Sequence, residues 1–122
     1  MKIGPYAFGK QGENRAVLYL KKKGYKIIEN NYRTKYGEID IIAMDGNTIV
    51  FVEVKARRST KFGKPEDSVT VKKQRKISMV ALDYLKKNNK MNQRARFDVI
   101  SIYDQCGNAK IEIFANAFPL AY

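Results

Sequence analysis

The apolar positions of this 122-residue chain recur at helical spacing in two segments. In residues 9–23 they form a stripe of Ala16, Val17 and Leu20, and Gly24 follows as a stop signal. We expect residues 1–8 to be a short lead-in, because Gly4-Pro5 disfavours a helix start. The second segment, residues 71–88, is predicted to be capped by Thr70 or Ser68. Its stripe consists of Ile77, Val80, Ala81, Tyr84 and Leu85.

Runs rich in β-branched and aromatic residues predict five strands. They are residues 25–33, the two runs on either side of Asp45-Gly46, residues 95–103 and residues 109–115. Asp45-Gly46 is a strong hairpin signal, and apolar residues on both sides of the hairpin strands indicate a sheet covered on both faces. A helical crossover would place the fourth strand parallel to the third. The predicted fold class is therefore α/β, one domain over residues 1–122, with a mixed sheet of about five strands and the order α-β-β-β-α-β-β.

Three charged residues interrupt the apolar hairpin strands: Asp40, Glu53 and Lys55. With a two-residue turn centred on Asp45 and Gly46, Asp40 faces Phe51 and lies diagonal to Glu53 on the same face, about 7–8 Å away. A four-residue loop keeps this parity, whereas a three-residue loop reverses it. Buried charges are costly unless they are paired or bound to a metal. The three residues are thus either a metal site or an ion pair of Lys55 with one of the carboxylates.

Three further polar residues are candidates for this site. Glu13 lies on the apolar face of the first helix, so it is either a first-turn acid favoured by the helix dipole or another site residue. Gln74 precedes Ile77 by three residues and is expected at the edge of the apolar stripe, near the strand ends. Asp98 interrupts the fourth strand and is either a site residue or the partner of a cation such as Arg96 or Arg33.

The composition points to a polyanionic partner. Lys and Arg number 24 against 12 Asp and Glu, giving a formal charge of +12. Nucleic acid is the first expectation, an anionic membrane surface the second, and simple solubility the plainest alternative. There is no His, which removes imidazole acid–base catalysis and the commonest zinc ligand. The single cysteine, Cys106, and the lack of a membrane-spanning or secretory segment lead us to expect a cytoplasmic protein without membrane contact.

Two basic segments are expected to contact phosphates. The loop of residues 57–67 carries Arg57, Arg58, Lys61 and Lys64 around Phe62-Gly63, where Phe62 either stacks on an unpaired base or folds onto the core. Lys72 and Lys73 lie in the first turn of the second helix, where cations oppose the helix dipole and therefore suggest another use. A generic solvated basic surface is the alternative for both segments.

Asp40 followed by Glu53-x-Lys55 resembles the PD-(D/E)xK nuclease motif, with Ile39 in place of the motif's literal proline. Over residues 9–102 the chain resembles the YraN family of predicted endonucleases, which are related in fold to archaeal Holliday-junction resolvases. The residues that carry the resemblance are Gly12-Glu13, Asn31-Tyr32-Arg33, Gly37-Glu38-Ile39-Asp40, and Phe51-Val52-Glu53-Val54-Lys55-Ala56-Arg57, with weaker support from Phe62-Gly63, Lys73 and Arg96-Phe97-Asp98-Val99.

The resemblance implies a restriction-endonuclease-like fold and metal-dependent hydrolysis of phosphodiester bonds in nucleic acid, with DNA, branched or junction DNA included, the first expectation and RNA the alternative. Carboxylate oxygens without His or thiolate favour Mg²⁺ or Mn²⁺. Asp40, Glu53 and the carbonyl of Val54 would hold the metal, and Lys55 would orient a water molecule. Glu13 would act through water or on a second metal, and Gln74 would position the nucleophile. Junction resolvases act as symmetric dimers, so a homodimer is one option. The alternative is a non-catalytic module that binds nucleic acid or recruits other factors to it.

Overall fold

The computed structural model of the chain describes residues 5–57, 69–105 and 108–119. Its elements follow the predicted order α-β-β-β-α-β-β. They are α1 (Pro5–Lys22), β1 (Lys26–Thr34), β2 (Gly37–Asp45), β3 (Thr48–Arg57), α2 (Val71–Lys87), β4 (Ala95–Gln105) and β5 (Asn108–Phe118). The strands form one sheet in the order β1-β2-β3-β4-β5. Neighbouring strands are antiparallel except β3 and β4, which are parallel as predicted from the crossover through α2. This mixed sheet with two helices is consistent with a restriction-endonuclease-like fold.

Several predicted element boundaries were wrong. Helix α1 begins at Pro5 rather than near Gly9. Gly4-Pro5 does not prevent this start, because proline is favoured at the first helical position, where no intrahelical N–H bond is lost. Strands β4 and β5 both extend beyond their predicted ends, to Gln105 and Phe118. No described helix combines the length and the apolar character that crossing a membrane requires.

The hairpin turn lies one residue later than predicted. Asp45 pairs with Thr48, so Gly46 and Asn47 are the central residues, and Gly46 has the positive φ of +59° that such turns require. Ile42, and not Asp40, therefore pairs with Phe51. Because the register changes by an even number of residues, the predicted parity of the two strands is unaffected.

Each helix covers one face of the sheet, as the two apolar clusters show. The α1-side cluster contains Ala16, Leu20, Ile41, Ala43, Val50, Val52, Ile100 and Ile102. The α2-side cluster contains Ile39, Ile42, Ile49, Phe51, Val69, Ile77, Val80, Ala81, Tyr84, Leu85, Phe97, Val99 and Phe118. The prediction that Ile39 shares a face with Ile41 and Ala43 was wrong, since Ile39 packs on the α2 side. Regular alternation of the side chains is thus interrupted at Asp40, between Ile39 and Ile41.

Arg96 is the centre of an ionic network that includes the buried carboxylate of Asp98. Nε of Arg96 donates to both carboxylate oxygens of Asp98, at 3.0 and 3.3 Å. Nη2 of Arg96 donates to Oδ2 of Asp45 at 2.9 Å and to the hydroxyl of Tyr25 at 2.8 Å. Of the two partners considered for Asp98, the structure selects Arg96, whereas Arg33 pairs with Glu38 at 3.0 Å. Asp98 therefore has a structural partner on its own strand.

Candidate active site

The candidate site lies where β2 and β3 stop pairing with each other. The paired residues end at Ile41 and Val52, one position before Asp40 and Glu53. Oδ2 of Asp40 accepts a hydrogen bond of 2.8 Å from the backbone N–H of Val54. A side-chain hydrogen bond therefore takes the place of the backbone ladder at this point. The same register continued by one residue brings Asp40 directly opposite Glu53, so the prediction of a diagonal arrangement was wrong. Glu53 lies close enough to raise the pKa of Asp40.

Helix α1 brings Glu13 to this point through an unusually close contact with β3. Gly12 is buried, and a Cβ added to it would lie only 2.8 Å from Cβ of Ala56. Only glycine lets the helix backbone approach the strand this closely. Glu13, the next residue, is half-buried, and its charge is near enough to Asp40 to raise the pKa of that carboxyl group.

The environment of Asp40 opposes its ionisation. The pKa of Asp40 rises from 3.8 to about 7, first because the carboxyl group is buried and then because the charges of Glu53 and Glu13 repel its own charge. The hydrogen bond from Val54 acts in the other direction but is outweighed. The carboxyl groups of Glu13, Asp40 and Glu53 thus concentrate negative charge in one place. Asp40 itself is only 9% exposed to solvent. A bound cation would relieve this repulsion.

The donor set fits a hard divalent cation. Asp40 and Glu53 offer carboxylate oxygens, which suit Mg²⁺ and Mn²⁺. Within residues 5–57, 69–105 and 108–119, no three acidic, His or Cys side chains are arranged closely enough to hold a metal ion. The two carboxylates would therefore need a backbone carbonyl or water to complete the coordination, which is usual for Mg²⁺.

Two lysines face Glu53. Nζ of Lys73, from α2, lies 2.7 Å from Oε1 of Glu53, and Nζ of Lys55 lies 3.5 Å from the same oxygen. Burial, followed by the adjacent Lys73 ammonium, lowers the pKa of Lys55. Burial is the largest influence on Lys73 and acts to lower its pKa, but the hydrogen bonds to Glu53 and Lys55 and the charges of Glu53 and Asp40 together raise the pKa. The ion pair between Lys55 and Glu53 that the sequence allowed is thus present, together with a closer one.

Comparison with known proteins supports the predicted family. A sequence profile described as the uncharacterised protein family UPF0102 matches residues 12–102. The chain belongs to the UPF0102 family. This is the YraN family predicted from the motif.

A UPF0102 protein of Geobacter metallireducens is 50% identical over 122 residues, which is 100% of both chains. One from Thermodesulfovibrio yellowstonii is 56% identical over 110 residues, which cover 90% of this chain and 94% of the relative. One from Syntrophus aciditrophicus is 50% identical over 114 residues, covering 93% and 90%.

In this UPF0102 protein, Thr70 fixes the start of α2. Its hydroxyl accepts a 3.2 Å hydrogen bond from the backbone N–H of Lys73, which confirms Thr70 as the N-cap. The side chain of Gln74 donates to the carbonyl of Val69 at 2.9 Å, before the helix. The described contact of Gln74 is therefore with this segment and not with the carboxylates, and its predicted role with the nucleophile stays a prediction.

The structure covers only part of the predicted phosphate-binding surface. Lys72 is exposed in the first turn of α2, as its predicted role requires. Arg57 ends β3, but its side chain lies outside the described part of the chain, as do Arg58, Lys61, Phe62 and Lys64 within residues 58–68. Their contacts with phosphate stay predictions.

Tyr32 and Arg33, which contribute to the family resemblance, contact residues outside the acidic cluster, which consists of Glu13, Asp40 and Glu53. The hydroxyl of Tyr32 donates to Oδ2 of Asp83 on α2 at 3.0 Å, and burial raises the pKa of Tyr32 to about 12. Arg33 pairs with Glu38 on the surface. Both therefore hold β1 to its neighbours.

Two residues near the site have surroundings that the sequence did not predict. Lys73, whose phosphate contact stays a prediction, contacts Glu53. It lies four and seven residues before Ile77 and Val80, so helical periodicity places it on the buried stripe. Ser101 pairs with Lys55 across β3 and β4, and its hydroxyl is buried with no hydrogen-bond partner in the described residues. The signal for Ser101 was a lone hydroxyl within the apolar run of β4.

Proposed function

We propose that this UPF0102 protein is a metal-dependent nuclease that hydrolyses phosphodiester bonds in DNA, branched or junction DNA included. One observation supports this most strongly: Asp40 is buried where β2 and β3 separate, with Glu53 and Glu13 close enough to raise its pKa to about 7. Buried acids that repel one another are unfavourable for the fold alone and are typical of sites that bind a cation.

The carboxylates of Asp40 and Glu53, with the carbonyl of Val54, would hold Mg²⁺ or Mn²⁺. When bound, such an ion polarises the scissile phosphate and lowers the pKa of a water molecule. The Val54 N–H fixes one oxygen of Asp40, so the other oxygen can face the ion. Glu13 reaches the same region from α1 and would act through a water molecule.

Lys55 supplies the remaining chemistry. Its amine lies beside Glu53 and is four-fifths buried, so its orientation is restricted. There it can orient the attacking water or offset negative charge that develops on the phosphate. Its lowered pKa makes its ammonium group a stronger acid than that of an ordinary lysine.

DNA binding would use the cationic surface next to this site. The formal charge of +12 favours contact with a polyanion, and Lys72 and Lys73 lie at the end of α2 that is nearest Glu53. Arg57, Arg58, Lys61 and Lys64 belong to the segment that joins β3 to this end of the helix. Phosphate groups held here would lie beside the acidic cluster.

The test is a cleavage screen with Mg²⁺ and with Mn²⁺ over duplex, nicked, branched and single-stranded DNA, with RNA for comparison. We expect cleavage of at least one DNA substrate by the wild type and none by Glu53→Gln. Glu38→Gln is the matched control, because it removes an exposed carboxylate that pairs with Arg33 and should leave cleavage unchanged. Equal cleavage by the wild type and Glu53→Gln would contradict the proposal.

One observation favours a second candidate, a module that binds nucleic acid without cleaving it. Glu53 is already neutralised by Lys73 and Lys55, so the site is partly satisfied without a metal. In this case DNA binding would be retained in Glu53→Gln, and the wild type would cleave no substrate in the screen. Binding measured on the same protein preparations separates the two functions.

A further inference from the structure

The position of Lys73 raises a question about how a metal could reach Glu53. Nζ of Lys73 is 2.7 Å from Oε1 of Glu53, a distance typical of a strong charge-assisted hydrogen bond. The side chain of Glu53 is only 11% exposed, so few other cations can approach the same oxygen. The ammonium group therefore occupies one of the places from which a cation would bind Glu53.

The two lysines at Glu53 differ in their freedom to move away. Lys55 is on the central strand β3, 20% exposed and 3.5 Å from the carboxylate oxygen. Lys73 is 39% exposed and is on the first turn of α2, where its backbone N–H is held by the Thr70 cap. Its long, flexible side chain can thus turn toward solvent without any movement of the helix.

We propose that Lys73 is a displaceable counter-ion: it neutralises Glu53 when no metal is bound, and metal binding releases its ammonium group to bind DNA phosphate. The inference rests on the proposed function, since it requires that Glu53 be a metal ligand. It adds to that function a coupling between metal binding and phosphate binding, which the side chain of Lys73 provides. Lys72, its exposed neighbour, has no such exchange and would face phosphate with or without metal.

Two linked effects follow from this exchange. In the absence of DNA, Lys73 competes with the metal and weakens metal binding. When metal is bound, the protein gains one phosphate contact, so metal and DNA strengthen each other's binding by the same factor. Neither effect is expected if Lys73 is a fixed structural partner of Glu53.

The first test measures metal binding alone, by calorimetric titration of Mn²⁺ into the wild type, Lys73→Met and Lys72→Met. Methionine keeps a flexible side chain of similar length and removes the charge. The Lys72 variant is the matched control, because it makes the same change of net charge on the adjacent residue. We expect Lys73→Met to bind Mn²⁺ roughly tenfold more tightly than the wild type, the order of magnitude for losing one hydrogen bond between charged groups. Lys72→Met should change the affinity by less than about threefold, the size of a surface charge effect.

The second test measures phosphate contacts, through the salt dependence of binding to a DNA duplex with and without Ca²⁺, under conditions checked for absence of cleavage. With Ca²⁺, Lys73→Met should lower the logarithmic salt slope by about 0.9, the value of one phosphate contact. Without Ca²⁺ the same variant should change the slope little, because Lys73 is then bound to Glu53. Lys72→Met should lower the slope equally in both conditions.

The outcomes separate this inference from the proposed function. Equal Mn²⁺ affinities for the wild type and Lys73→Met would overturn the exchange and leave the metal site intact. If no protein binds Mn²⁺, the proposed function fails and the exchange fails with it. Thermal melting verifies that each variant is folded, and Lys73→Gln replaces the methionine variant if that one is not.

Discussion

Asp40 is a carboxyl group whose environment is unfavourable for its ionised form. Its pKa is raised from 3.8 to about 7, because it is buried beside two other acids. Between these pH values the folded protein retains a proton that the unfolded chain has released. The free energy of unfolding therefore falls as the pH rises through this window and stays low above it. A group with only a structural role would be expected to have the opposite sign.

The first prediction concerns Asp40→Asn. The amide keeps the size of the side chain and removes the charge that Glu53 and Glu13 repel, so the metal-free protein should become more stable by about 1–3 kcal/mol at pH 8. The gain should decrease as the pH falls below about 7 and should be lost at a pH well below 3.8, where Asp40 is protonated in both states. Urea denaturation at several pH values measures this difference, and the cleavage screen should show no activity. Marked destabilisation at pH 8 would instead indicate that Asp40 is a structural partner of the lysines.

Arg96 provides the contrasting case, in which a buried charge is fully paired. The second prediction is that Arg96→Met costs about 3–5 kcal/mol of unfolding free energy, because Asp98 is 0% exposed and would lose its cation. Arg33→Met is the control: its partner Glu38 is half exposed, so the cost should be about 0–1 kcal/mol. Chemical denaturation of both variants under identical conditions makes the comparison. Similar costs for the two would contradict a structural role for the buried network.

At the scale of elements, the site depends on how closely α1 lies against β3. Gly12 faces Ala56, where a new methyl group would come within 2.8 Å of a Cβ that belongs to the central sheet. The backbone of β3 cannot give way easily, because β3 is held between β2 and β4. The contact sets the distance of Glu13 from Asp40.

The third prediction is that Gly12→Ala destabilises the protein by about 1–3 kcal/mol, although alanine is the better helix former. It should also weaken Mn²⁺ binding, since α1 must move away from β3 and takes Glu13 with it. Ala56→Gly removes the opposing methyl group, so the double variant should recover part of the loss. A double-mutant cycle by urea denaturation gives the coupling energy, and simple additivity would mean that the contact is not limiting.

Comparison of these elements with the sequence shows which features a pattern can predict. Alternation and the hairpin signal predicted the strands and the shared face of Asp40 and Glu53, because parity survives a register error of two residues. The turn itself was misplaced, since Gly46 can be either the first or the second central residue of such a turn. The role of Gly12 was not predictable, because a helical glycine does not reveal which strand it faces. The charge of Lys73 predicts a phosphate contact, whereas its position on the buried stripe indicates the contact with Glu53 that the structure shows.

At the scale of the whole molecule, cations gather at the N-terminal end of α2. The first turn of this helix contains no acidic residue, although the helix dipole favours one there. Lys72 and Lys73 carry positive charge instead, beside the acidic cluster. The arrangement is slightly unfavourable for the helix and suits an incoming phosphate. The last turn also carries cations, Lys86 and Lys87, but there the dipole favours them.

This asymmetry gives the fourth prediction, which compares two exposed lysines of the same helix. Lys72 and Lys86 are 14 residues apart, or about 21 Å along the axis. If DNA binds beside the acidic cluster, Lys72→Met should lower the logarithmic salt slope of duplex binding by about 0.9, and Lys86→Met should leave it unchanged. The double variant Arg57→Ala/Lys61→Ala should lower the slope further, since both residues belong to the segment before α2. Fluorescence anisotropy titrations between about 50 and 200 mM salt, the range in which such contacts are resolved, provide the slopes. Loss of one positive charge changes the net charge equally at either end of the helix. Equal slopes for the two lysine variants would therefore mean that neither lysine contacts phosphate specifically and that the DNA-binding surface lies elsewhere.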